Sequence, residues 1–134
     1  MPHLRISEAA ALVGASDDTV RRWIDSAAVT TSVDARGRTL IDGVDVARLA
    51  QERARAPRDA TGIARSARNQ FVGLVTSVTS DAVMSQVELQ CGPHRVVSLM
   101  STEAVRDLGL EPGAVATAVV KATTVIVERA RETT

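Results

Sequence analysis

Apolar residues in this 134-residue chain recur at helical spacing as far as Leu49 and at alternate positions after Ser66. No single regular architecture accommodates both periods. The change of period therefore divides the chain into a mostly helical part followed by a β-rich part, an α+β arrangement. Each part is near the lower size limit for independent folding, so association into homo-oligomers is expected.

In the first part Ser7 is a candidate N-cap, with Glu8 in the first turn and Ala9, Leu12 and Val13 on one face. Gly14 suits the helix end. Ser16 can cap a second helix, where Asp17 and Asp18 favour the positive end of the dipole. Val20, Ile24 and Ala27 recur there as a buried stripe, which leaves Arg21 and Arg22 pointing away from it. Two β-prone runs, 29–33 and 39–41, flank Asp34-Ala35-Arg36-Gly37-Arg38 and predict a hairpin with an arginine-rich tip. Asp42 can cap a third helix that faces Val46, Leu49 and Ala50 inward and ends at Pro57. Residues 57–65 show no periodicity and are expected to form a linker.

The second part predicts strands over 71–78 and from Val83 onward, where Val83, Val87, Leu89 and Cys91 alternate with Met84, Gln86, Glu88 and Gln90. Cys91-Gly92-Pro93-His94 reads as a turn and 95–100 as the next strand. Ser101 opens a short helix that Gly109 follows, and two last strands span 114–121 and 123–128. Five strands and one short helix in about 65 residues suit a small, partly open barrel.

Composition narrows function. Formal net charge is zero, so nucleic-acid binding requires a local cluster of cations. No apolar run reaches the length of a membrane span, and no signal-peptide pattern opens the sequence. The single cysteine, Cys91, excludes an intramolecular disulfide and suits a reducing cytoplasm. Cys91 and His94 are too few ligands for a structural zinc site, and no metal is expected. No nucleophile–base constellation is visible, so an enzyme is not expected. One Trp, one Phe and no Tyr cannot supply the stacking platform of a single-strand binder. Of the sixteen basic residues only Lys121 is a lysine, which points to a position that wants a compact ammonium.

The run Leu4-Arg5-Ile6-Ser7-Glu8-Ala9-Ala10 through Thr19-Val20-Arg21-Arg22-Trp23-Ile24 resembles the MerR-like and excisionase-like helix-turn-helix families, and the likeness covers about the first 50 residues. It implies a winged helix-turn-helix for double-stranded DNA over residues 1–56. Thr19, Arg21 and Arg22 would form the outer face of the recognition helix, with Trp23 near the DNA backbone and Arg36 and Arg38 against phosphates.

Three blocks of the second part resemble the Mop or TOBE domain of molbindins and molybdate-responsive regulators. They are Ser66-Ala67-Arg68-Asn69-Gln70, Leu108-Gly109-Leu110-Glu111-Pro112-Gly113 and Val120-Lys121-Ala122-Thr123-Thr124-Val125. The resemblance implies an OB-like β-barrel over residues 66–130 that binds molybdate or tungstate between subunits, without an organic cofactor. Ser66, Arg68, Asn69, Lys121, Ala122 and Thr123 would come from one chain, and Ser101 and Ala104 from the other. Hydroxyls, backbone N–H groups and about two positive charges are what a tetrahedral dianion requires. Ala104 stands where the family commonly has serine, so a backbone N–H replaces a hydroxyl there. The expected protein is thus a cytoplasmic DNA-binding regulator that senses molybdate or tungstate. The alternative is a molybdate storage or buffering protein whose first part serves assembly.

Overall fold

Leu4 pairs with Ile41 across two antiparallel strands, and this pairing closes the first of two units, Met1–Arg55 and Ala56–Thr134. The structure, a computed structural model, describes residues 2–55 and 61–131. The third helix ends at Arg53, with Ala54 already extended, short of the Pro57 expected to end it. Pro57 itself and the linker as far as residue 60 lie outside the described residues.

The first unit runs β1 (His3–Arg5), α1 (Ile6–Val13), α2 (Asp17–Asp25), β2 (Thr31–Val33), β3 (Thr39–Asp42) and α3 (Gly43–Arg53), with sheet order β1-β3-β2. Its core is Ala9, Ala10, Val20, Val29, Ile41, Val46 and Leu49, with Ile6, Val13, Trp23 and Ile24 packed around it. Two caps form as the sequence predicts. Ser16 Oγ accepts from Thr19 N–H at 3.1 Å, and Asp42 Oδ1 accepts from Val44 N–H at 2.8 Å. Gly14 ends α1 in the left-handed region at φ 73°, where a side chain would be strained.

Sequence reasoning misplaces several residues here. Ser7 is not a cap, because the chain leaves β1 directly into α1, with Arg5 at the cap position and an Arg5–Glu8 ion pair at 3.3 Å across the first turn. Leu12 is 72% exposed. The inward stripe is Ile6, Ala9, Ala10 and Val13, whose spacing of 0, 3, 4 and 7 describes one helix face. Ala27 lies beyond the end of α2, exposed and at φ 59°. Val29 is a core residue that precedes β2.

The second unit runs β4 (Asn69–Ser80), β5 (Met84–Cys91), β6 (His94–Ser101), α4 (Thr102–Leu108) and β7 (Val115–Val120), with sheet order β6-β5-β4-β7. All three pairings are antiparallel. β4 is the spine: residues 69–74 pair with β7 and residues 74–80 with β5, and the register shifts between Val75 and Ser77. At that bulge Val75 N–H bonds to Ala114 O at 2.9 Å, so β4 changes partner as it bends. Val75, Val87, Leu89, Cys91 and Val105 form the core. Ser101 caps α4 by accepting from Ala104 N–H at 3.1 Å, and Gly109 ends it at φ 63°.

Two expectations fail in this unit. The inward alternation of β5 begins at Ser85, not Val83, which is exposed. Asp81 accepts from the N–H groups of Val83 and Met84, at 2.8 and 2.7 Å, and so holds Val83 in the turn. Buried Ser85 bonds to Thr102 Oγ1 at 2.8 Å and to Ser80 Oγ at 2.7 Å, which satisfies its hydroxyl. Furthermore, no strand forms over 123–128. A single 3₁₀ turn, Ala122–Thr124, follows β7, and the tail joins neither sheet among the described residues. Among the described residues the sheet of the second unit therefore has four strands, and its edge strands β6 and β7 do not pair with each other. No helix among the described residues is long and apolar enough to cross a membrane.

Candidate functional site

The ladder between β4 and β7 ends where Asn69 pairs with Val120, so Arg68 and Lys121 are the next residues on adjacent strands. The Asn69 side-chain amide donates to Val120 O at 3.2 Å and ties the two strand ends together. Below it, Lys121 O accepts from Thr124 N–H at 2.9 Å and from Thr124 Oγ1 at 2.8 Å, which pins the turn that carries Ala122 and Thr123. On the other side Gln70 Nε2 bonds to Ala67 O at 3.4 Å and steadies the approach from Ser66. Ser66, Arg68, Lys121, Ala122 and Thr123 are all exposed. The structure thus brings two of the three sequence blocks to one end of the sheet and presents a guanidinium, an ammonium and hydroxyls to solvent.

Ser101 and Ala104 lie elsewhere. Ser101 pairs with Met84, beside the pair Ser80–Ser85 at the other end of β4. Eleven residue steps of strand separate the ends of β4, about 36 Å of contour. Donors to one oxyanion must all lie about 3 Å from its oxygens, and the register places these two groups at opposite ends of β4. The Ala104 N–H is already bonded to Ser101 Oγ, whereas the Ser101 hydroxyl proton is free to turn outward. Cys91 is buried, with its thiol against Phe71 O at 3.6 Å, while His94 is exposed. No group of three or more metal-ligating side chains occurs among the described residues.

In the first unit Arg5, Ser7, Asp17, Arg21, Arg38 and Thr39 line one shallow depression. The fold brings Arg21 of α2 near Arg38 of the β2–β3 turn and adds Arg5, which the helix pattern alone does not single out. All three of these cations are engaged: Arg5 with Glu8 at 3.3 Å, Arg21 with Asp18 at 3.3 Å and Arg38 with Asp34 at 2.9 Å. Asp34 organises the turn, with Oδ1 accepting from the N–H groups of both Arg36 and Arg38 at 2.9 Å. The Arg38 N–H foremost, then the Arg36 N–H and the Arg38 guanidinium, hold the Asp34 carboxyl below its ordinary value. Arg22 and Arg36 are exposed and make no ion pair among the described residues. Thr19 spends its hydroxyl on Ser16 Oγ at 3.0 Å. Trp23 is half-buried on the core, with the Arg53 guanidinium 5.5 Å from its ring centroid.

Residues 65–127 match the TOBE domain. Molybdenum-pterin-binding protein 2 of Clostridium pasteurianum is 40% identical over 63 residues, which are 46% of this chain and 93% of that protein. A probable molybdenum-pterin-binding protein of Haemophilus influenzae is 43% identical over 63 residues, 46% of this chain and 91% of its own length. Among solved structures, a molybdate-binding protein from Sporomusa ovata is 30% identical, covering 50% of this chain and all of that one with a TM-score of 0.48. All three matches fall on about half of this chain.

Proposed function

This chain belongs to the TOBE-domain family through its second unit, and from that premise we propose that it binds molybdate at sites shared between two copies. The observation that carries the reading is the convergence of Arg68 and Lys121 at the Asn69–Val120 end of the sheet, inside the stretch that matches molybdenum-pterin-binding relatives. Two cations together with the Thr123 and Ser66 hydroxyls suit a tetrahedral dianion. Ser101 would complete the shell from a second chain, since its own chain holds it at the far end of β4. Tungstate, with the same charge and shape, fits the same donors. Titration of the full chain with molybdate by calorimetry tests the proposal. Saturable binding that an equal concentration of sulfate does not displace supports it, and no heat above dilution rejects it.

The first unit supports a second activity, double-stranded DNA binding, which would make the protein a molybdate-responsive regulator. The supporting observation is the grouping of Arg5, Arg21 and Arg38 around one depression, with Arg22 and Arg36 exposed beside them in sequence. Asp17, Asp18 and Asp34 offset part of this charge, so affinity per unit is modest and a dimer is required. Lack of duplex binding at low salt favours molybdate storage, with the first unit serving assembly.

A further inference from the structure

Two buried positions of the second unit hold hydroxyls where apolar side chains would pack at no polar cost. Ser85 of β5 and Thr102 of α4 are 1% and 7% exposed, the two buried polar residues among those described. Burying a hydroxyl costs free energy unless it is hydrogen-bonded, and even then it adds little stability over a well-packed methyl.

The protons of these hydroxyls can be assigned one after another. Thr102 Oγ1 donates to the Asp81 carbonyl oxygen at 2.9 Å, which uses its single proton. Ser85 Oγ, 2.8 Å from Thr102 Oγ1, is therefore the donor of that pair. With the Ser85 proton so used, Ser80 Oγ donates to Ser85 Oγ at 2.7 Å. The result is a one-way chain from Ser80 through Ser85 and Thr102 to the Asp81 carbonyl, in which each bond polarises the next. It ties together the end of β4, the start of β5, the turn between them and the start of α4.

Thr102 is where this chain meets the anion shell. Its N–H donates to Val83 O at 2.8 Å, so one residue straps α4 to the β4–β5 turn through both backbone and side chain. Ser101 lies immediately before it and pairs with Met84 on the ladder. Ser101 Oγ accepts from Ala104 N–H at 3.1 Å, which leaves the hydroxyl proton to be offered outward. A donor serves a ligand best when its oxygen is held in place beforehand by the groups behind it.

Resting on the molybdate reading above, we propose that Thr102 is a positioning residue of the anion site and, with Ser85, fixes where Ser101 presents its hydroxyl. Thr102 itself is buried, with its proton already committed, and acts only through Ser101. Its hydroxyl contributes to ligand affinity and not to folding.

Molybdate titration of the full chain by calorimetry, beside urea denaturation, tests this. Ser85→Ala with Thr102→Val removes both buried hydroxyls together and orphans no buried donor, since Ser80 and Asp81 are exposed. This double variant is expected to keep the wild-type urea midpoint and to lose about tenfold in affinity, as Ser101→Ala alone should. Thr102→Ser keeps the hydroxyl and is expected to bind within about twofold of the wild-type protein. Adding Ser101→Ala to the double variant should cost no further affinity, because all three changes act through one donor. A wild-type protein that binds no molybdate rejects the site, and this role with it. Where the wild-type protein binds, three results overturn the positioning role alone. They are unchanged affinity in the double variant, an equal loss in Thr102→Ser, and a loss that adds in full to that of Ser101→Ala.

Discussion

The Asn69 side-chain amide donates to the carbonyl of Val120 at 3.2 Å, and by tying these strand ends it makes neighbours of Arg68 and Lys121. Lys121→Ala removes a charge-assisted donor from the proposed anion site. The expected loss of molybdate affinity is at least about 2 kcal/mol, near thirty-fold, measured by calorimetry. Asn69→Ala keeps both cations but frees the strand ends, so a smaller loss is expected. Affinity unchanged in Lys121→Ala removes that residue from the site.

Gly73 pairs with Ala116 of β7 and leaves no room for a side chain towards Gln90 and Cys91 of β5. A Cβ there would collide with the Gln90 carbonyl oxygen and lie 2.6 Å from Cys91 Sγ. Backbone cannot yield cheaply at a paired strand, and Cys91 is already buried. Gly73→Ala is expected to destabilise the second unit by about 1–3 kcal/mol in urea denaturation. A change below about 0.5 kcal/mol would mean that β4 and β5 separate more readily than this packing implies.

Sequence patterns resolve what is local. Ser16, Asp42 and Ser101 act as caps, and Gly14 and Gly109 end helices, because each depends only on a few adjacent residues. The inward face of α1 is legible at Ala9 and Val13 but not at Leu12, which is more apolar than Ala9 and Ala10 yet is excluded because small side chains are what the packing there accepts. Val83 misleads for a related reason, since the Asp81 hydrogen bonds decide the turn and a hydroxyl, Ser85, occupies the buried position that follows. The 123–128 run has every mark of a strand, but strand propensity does not decide whether the run finds an edge to pair with. In the candidate site the pairing of the Arg68 and Lys121 blocks followed from the family likeness. The distance of Ser101 from them follows only from the register of β4.

Acid should weaken the protein through carboxylates that the fold holds ionised. Asp45 accepts from Thr30 N–H at 2.6 Å, and this bond foremost, with the Arg48 guanidinium, lowers its pKa from the ordinary 3.8. Asp34 is lowered by its turn, and Asp81 by the N–H groups of Met84 and then Val83. For each, the folded value lies below the unfolded one. Their contribution is fully present above about pH 5 and is lost as pH falls through 3.8 and the lower folded values. Urea midpoints at pH 7, 4 and 3 should decline in that order. Asp45→Asn should start lower at pH 7 and decline less steeply, and parallel curves for the two proteins would rule Asp45 out as a contributor.

In the proposed duplex binding, the arginines of the first unit should differ in what they add. Arg22 and Arg36 are exposed and make no ion pair among the described residues, so each can neutralise a phosphate without first leaving a partner. Arg38 is held by Asp34 at 2.9 Å, and Arg21 by Asp18 at 3.3 Å. A phosphate must compete with those carboxylates, which lowers the net gain from either residue. Each phosphate neutralised by a cation adds about 0.9 to the slope of log affinity against log salt. Arg36→Ala and Arg22→Ala should therefore each reduce the slope by about 1, and the pair by about 2. Arg38→Ala should reduce it by less and also loosen the turn that Asp34 organises. Asp34→Ala frees Arg38 but forfeits the bonds that shape the turn, so it is not expected to strengthen binding. Fluorescence anisotropy with a labelled duplex between 50 and 200 mM salt, the range over which such contacts change affinity by orders of magnitude, measures all of these (roughly 10³-fold or more for six contacts). Equal slopes for Arg36→Ala and the wild-type protein would take the β2–β3 turn off the DNA.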